Sequence, residues 1–133
     1  MSLPLPLSDE PCPEPEIALC PVPKAASQAR VFLRHRLTEL GFPELVDDGA
    51  LIAVELVTNA VREAPDGPVR LSLRLSDGRP VVEVRDCSPA LPVLKDADFV
   101  SETGRGLHIV GALATELGWH RVGHGKVVWA VLR

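Results

Sequence analysis

Apolar positions recur along this chain at two periods, and the changes of period mark its elements. Between residues 24 and 40, Ala25, Ala29, Phe32, Leu33, Leu37 and Leu40 return every three or four residues, with Arg30, Arg34 and Glu39 on the other side. That is the stripe of an amphipathic helix, and Gly41 reads as its C-cap. A second helix is predicted from about Pro43 to Ala64. Pro43 suits a helix start, and Pro65-Asp66-Gly67-Pro68 is a strong stop. The period then falls to two. Val69, Leu71, Leu73 and Leu75 alternate with Arg70, Ser72 and Arg74, and Val82 and Val84 alternate with Glu83 and Arg85. Two strands are predicted there, joined by a hairpin turn at Ser76-Asp77-Gly78-Arg79. Residues 87–103 show little periodicity and read as a loop. From Gly104 to about Leu117 the helical period returns through Leu107, Val110, Leu113 and Leu117. Two short strands, near Trp119–Val122 and Val127–Leu132, close the chain around Gly123-His124-Gly125.

The beginning of the chain differs. Residues 1–23 hold seven of the 13 prolines, and proline lacks an amide donor and has a fixed φ. Residues 1–15 therefore read as a proline-rich extended arm, and residues 16–133 as one domain. Ile17-Ala18-Leu19-Cys20 reads as a short strand at a sheet edge, where nearby prolines are tolerated. The order is strand, two helices, two strands, loop, helix, two strands. It predicts an α/β two-layer sandwich, with a mixed, mostly antiparallel sheet covered on one face by about three helices.

Composition narrows the picture. The 133 residues suit a single domain, and 46% are apolar while only 4% are aromatic, so the core must be built from Leu, Val, Ala and Ile. A formal net charge of -4 argues against direct nucleic-acid binding, which needs cations to neutralise phosphates. It leaves a phosphorylated ligand open, because backbone amides at a helix start hold phosphate without side-chain charge. The cysteines, Cys12, Cys20 and Cys87, are odd in number and match no zinc spacing, which fits unpaired thiols in a reducing compartment. The start of the chain lacks a basic leader, and no apolar run is long enough for a membrane helix, so a cytoplasmic location is expected. The four histidines are scattered, Trp119 and Trp129 read as packing residues on the last strands, and Cys87 reads as an inert buried thiol.

Three segments carry candidate chemistry. The helix Leu51-Ile-Ala-Val-Glu55-Leu-Val-Thr-Asn59-Ala-Val61 is almost wholly apolar, yet Glu55 and Asn59 stand one turn apart on one face, with Arg62 continuing the stripe. A buried carboxylate and carboxamide are unfavourable without partners. The plain reading is a solvent-facing Glu55 and an Asn59 bonded to backbone; the functional one is a general base and a cation ligand. Val81-Val-Glu-Val-Arg-Asp86-Cys-Ser-Pro89 ends an apolar strand on an acid followed by turn residues, which can aim a carboxylate into a cleft. Thr103-Gly104-Arg105-Gly106-Leu107 opens a helix with two glycines, so that free amides and the helix dipole can meet a phosphate at close range. Singly, each is better read as ordinary helix, turn or joint chemistry.

Together and in this order they resemble a family. Glu55-Leu-Val-Thr-Asn59-Ala is similar to the N-box of the GHKL ATPases, the superfamily of gyrase and histidine-kinase ATP domains. Asp86-Cys-Ser-Pro stands where that family's DxGxG box stands, and Gly104-Arg-Gly106-Leu is similar to its second glycine box. The closing Gly125-Lys126-Val-Val-Trp-Ala130 resembles short bacterial anti-sigma-factor serine kinases of the RsbW and SpoIIAB type. The resemblance spans roughly residues 16–133 and implies a Bergerat ATP site. In it, Glu55 would be the general base, Asn59 the Mg²⁺ ligand, and Asp86 the reader of the adenine amine. Gly104, Arg105, Gly106 and Leu107 would bind the phosphates, and residues 87–103 would form the lid. The implied activity is phosphorylation of a small antagonist protein by a domain that also binds a sigma factor, and a homodimer is implied as well. The alternative is a nucleotide-binding interaction module with little or no catalysis. Four departures from the family pattern stand out. Ser88 and Ala90 replace the glycines of the DxGxG box, Glu63 stands one turn after Asn59, and Val127 occupies a position where many relatives carry Thr.

Overall fold

The computed structural model describes residues 16–63, 67–87, 110–123 and 125–132. Five strands form one sheet: β1 (Glu16–Leu19), β2 (Val69–Ser76), β3 (Arg79–Asp86), β4 (Glu116–Val122) and β5 (Gly125–Val131), in the order β1-β2-β3-β5-β4. Every pairing is antiparallel, so the parallel component allowed by a mixed sheet is absent among the described residues. Two long helices, α1 (Ala25–Leu40) and α2 (Val46–Glu63), lie on one face, α2 entered through a single 3₁₀ turn at Pro43–Leu45. Residues 110–113 are helical and continue that layer.

Local chemistry explains the boundaries. Gly41, at φ 90°, takes the left-handed position after α1; its amide donates to Thr38 and that of Phe42 to Leu37, which satisfies the orphan carbonyls of the last turn. Asp77 and Gly78, at φ 53° and 77°, make the tight turn that matches the right-handed twist of β2 and β3. The third helix ends sooner than its periodicity suggests. Helix has ended by residue 114, and Glu116 already opens β4, where Leu117 pairs with Ala130 of β5. Leu113 and Leu117 therefore reach the same core from a helix and from a strand, which makes a four-residue spacing look continuous.

The sheet buries both faces unequally. Toward the helices, Leu71, Leu73, Val82, Val84, Val128 and Ala130 pack against Ala29, Leu33, Leu37, Ile52, Ala53, Leu56 and Val57 in one cluster. Toward the other side, Val81, Val127, Trp129 and Val131 form a second cluster, with the Trp129 ring lying across Gly118 of β4. Trp129 thus packs as expected, while Trp119 projects on the helix side and is 40% exposed. Leu75, read as a core position, is also exposed, because it lies at the end of β2 beyond the helical cover.

Glu83 is the main departure from the alternating pattern. A charged residue on the polar side of an alternating strand ordinarily faces water, but Glu83 is buried on the second face, opposite Ser72 and Trp129. Burial pushes its carboxyl above the ordinary 4.5, against the opposing pull of Arg74, the Ser72 hydroxyl and Arg85. Because the folded state holds this proton more tightly than the unfolded chain, the group contributes stability below pH 4.5 that is lost as pH rises through its folded value. Urea titrations should show that Glu83→Gln removes a downward slope of stability that begins near pH 4.5 and continues above it, at most about 1.4 kcal/mol per pH unit for one proton. Identical slopes in the two proteins would show that Glu83 ionises without penalty.

Candidate functional site

The C-terminal end of α2 and the ends of β3 and β5 converge on a small cleft lined by Leu56, Asn59, Ala60, Glu63, Val84, Asp86, Lys126 and Val128. The convergence follows from register. Asp86 is the last residue of β3 and pairs with Lys126 of β5, so both side chains rise on the helix face, as do Val84 and Val128. Gly125 makes this approach possible: a Cβ there would collide with the Asp86 carbonyl.

Two of the residues singled out in the sequence meet here. Asn59 is 7% exposed and Asp86 is 4% exposed. The carboxamide Nδ2 of Asn59 is buried without a hydrogen-bond partner, and buried amides of that kind are uncommon. Glu55 stands one turn earlier on α2, half-buried and outside the cleft lining. Arg62, expected to continue the Glu55–Asn59 stripe, is exposed. The residue that continues Asn59 into the cleft is Glu63, at the i+4 position. Gly104, Arg105, Gly106 and Leu107, together with most of the lid at 87–103, lie outside the described residues. Cys87, just past Asp86, is an exposed free thiol rather than a buried one.

Lys126 received no role in the sequence reading, and it dominates the site. Its Nζ lies 3.0 Å from Asp86 Oδ2, 3.3 Å from Asp86 Oδ1 and 2.9 Å from Glu63 Oε1. The residue as a whole is 1% exposed. Glu63, one turn beyond Asn59, therefore faces the cleft in an ion pair with Lys126. Val127 does not stand beside Asp86: its side chain belongs to the cluster on the other face, opposite Arg85. The neighbour that could tune the Asp86 carboxylate is Lys126. The signal was present in the sequence only as a lysine inside an apolar closing strand, which periodicity alone assigns to neither face. With two carboxylates against one ammonium, this end of the cleft suits a neutral, amine-bearing group and repels an anion.

The pattern of the chain and this arrangement agree with what is found by comparison. Residues 21–132 match the model of the histidine kinase-like ATPase domain family. A search of curated protein sequences finds no match. Among solved structures, the chain is similar to the histidine kinase AdeS of Acinetobacter baumannii, with a TM-score of 0.52 at 14% identity over 91% of this chain and 68% of that one. At that identity the likeness speaks for the fold: helices over one face of an open antiparallel sheet. Among the described residues no helix is long and apolar enough to cross a membrane. The family match covers nearly the whole folded part, and the chain belongs to the histidine kinase-like ATPases, the GHKL superfamily of ATP-binding domains.

Proposed function

We propose that this domain is a regulatory protein kinase of the anti-sigma-factor type. In this reading it binds Mg²⁺–ATP, phosphorylates a serine or threonine of a small antagonist protein, and binds a sigma factor, working as a homodimer in the cytoplasm. The observation that supports it most is the meeting of Asn59 and Asp86 in one cleft, 27 residues apart in sequence, within a family of ATP-binding domains. The residues suit the ligand in part. The orphaned buried amide of Asn59 is a polar group left for a partner, and its carboxamide oxygen is a hard ligand of the kind Mg²⁺ takes. Asp86 can accept a hydrogen bond from an exocyclic amine once Lys126 releases the carboxylate.

ATP with Mg²⁺ would supply the transferable phosphoryl group. The chain's own residues would then do the rest: Asn59 holds the cation, Asp86 reads the base, and Gly104, Arg105, Gly106 and Leu107 bind phosphate through amides and a guanidinium. Glu55 takes the proton of the attacking hydroxyl. A second reading, a nucleotide-binding interaction module with weak or no catalysis, is favoured by the ion pair that already holds Asp86.

Calorimetric titration with ATP and ADP, with and without Mg²⁺, tests the shared core of both. Asn59→Ala should weaken binding chiefly when Mg²⁺ is present, and Asp86→Ala should weaken it with or without the cation. Wild-type protein that takes up no nucleotide at millimolar ATP would refute both readings, and binding without transfer to any antagonist would select the second.

A further inference from the structure

We infer that Lys126 is an internal occupant of the base pocket, and that it sets how strongly the site can read an adenine amine. The inference rests on the nucleotide reading above and concerns the specificity of that same cleft. An adenine read by Asp86 presents an N–H donor to its carboxylate. In this structure the Lys126 ammonium is a donor already there, at 3.0 and 3.3 Å from the two carboxylate oxygens. The stem of Lys126 crosses from β5 toward the end of α2, where Glu63 anchors the ammonium a second time at 2.9 Å. The open volume left between the side chains is about 10 Å³, room for no more than one water and far too little for a purine ring. A buried ammonium is favourable only with its partners, so Lys126 does not drift out of this position unassisted.

Two consequences follow. A purine enters only by displacing Lys126, so part of the interaction energy of the base is spent on that rupture. The contribution of the 6-amino group is then reduced, because the Asp86 hydrogen bond it gains replaces an ion pair of the same carboxylate. Lys126 is thus a specificity-determining residue acting through Asp86. The accompanying carboxylate, Glu63, gives the displaced ammonium a place to remain.

The test compares adenosine with purine riboside, which lacks the 6-amino group, on the full chain. Both probes are uncharged, so the changed charge of a variant does not itself alter the reading. Lys126→Ala vacates the pocket. Lys126→Thr also vacates it while keeping a hydroxyl for Asp86 and a β-branched side chain suited to a strand, and so covers the case in which the alanine variant does not fold. Circular dichroism establishes that each variant is folded at the temperature of measurement. The expected result is adenosine binding tighter by about tenfold or more in the folded variants, with the preference for adenosine over purine riboside also rising about tenfold. Equal or weaker adenosine binding in the variants, or an unchanged preference, overturns the role of Lys126. If wild type nonetheless binds ATP, the nucleotide reading survives that failure. Absence of ATP and adenosine binding in wild type and variants alike overturns both.

Discussion

Glu55→Gln is expected to leave Mg²⁺–ATP affinity close to wild type and to lower phosphate transfer to a cognate antagonist by about 10²–10⁴-fold, the usual contribution of a positioned general base. Gln keeps the size and hydrogen-bonding capacity of the side chain and removes the proton acceptor. The position of Glu55 makes the split between binding and turnover sharp. It is half-buried on α2, one turn before Asn59, and it does not line the cleft around Asp86 and Lys126. In the proposed kinase reading such a group acts on the attacking hydroxyl and contributes little to holding the base, so its loss is expected to fall on the transition state. Single-turnover transfer of labelled phosphate from ATP measures the rate, and calorimetry measures the affinity. An unchanged rate takes Glu55 out of the mechanism. A rate and affinity that fall together make it a binding residue.

Lys126→Met is expected to destabilise the fold by about 3–5 kcal/mol, which for a domain of this size lowers the melting temperature by roughly 10 °C or more. An exposed lysine would give a change within about 0.5 kcal/mol. The large value comes from the carboxylates that Lys126 leaves behind. Asp86 is 4% exposed and paired to Lys126 through both oxygens, and Glu63 is only partly open to water. Removing the ammonium strands both near each other at the end of an apolar cleft. The size of the effect is therefore the penalty of burying these carboxylates without the ammonium and not the net worth of the ion pair. A double substitution separates the two: Lys126→Met with Asp86→Leu should recover much of the loss, since an apolar pair of similar volume is often as stable as a buried ion pair. Urea unfolding of the two proteins gives the comparison. A double variant no more stable than the single one would show that packing at Lys126, and not its charge, holds this corner.

The two expectations belong to the same site but to different demands on it. Substitution of Glu55 is expected to cost the fold little, because the residue is only half-buried. Lys126 carries part of the stability because water does not.

Much of this molecule was legible in its residues. The helical stripe from Ala25 to Leu40, the stop at Gly41, the Asp77-Gly78 hairpin and the edge strand at Ile17–Leu19 depend on interactions within a few residues, and local chemistry is written locally. The apolar helix with Asn59 on its inner side was legible for the same reason, and so was the order of motifs that marks the family. What sequence could not decide was everything that depends on register between distant segments. Lys126 faces Asp86 because β3 and β5 pair with those residues opposite one another, and a shift of one position would have put Val127 there instead. The same pairing buries Glu83 on the second face, where alternation had assigned it to water. Glu63, not Arg62, lines the cleft, so the packing of α2 on the sheet turns the i+4 neighbour of Asn59 inward and leaves the i+3 one exposed, a choice no single-helix pattern contains. Periodicity tells which residues share a face; only the packed sheet and helices decide which face meets which, and the charge cluster of this site exists at that second level.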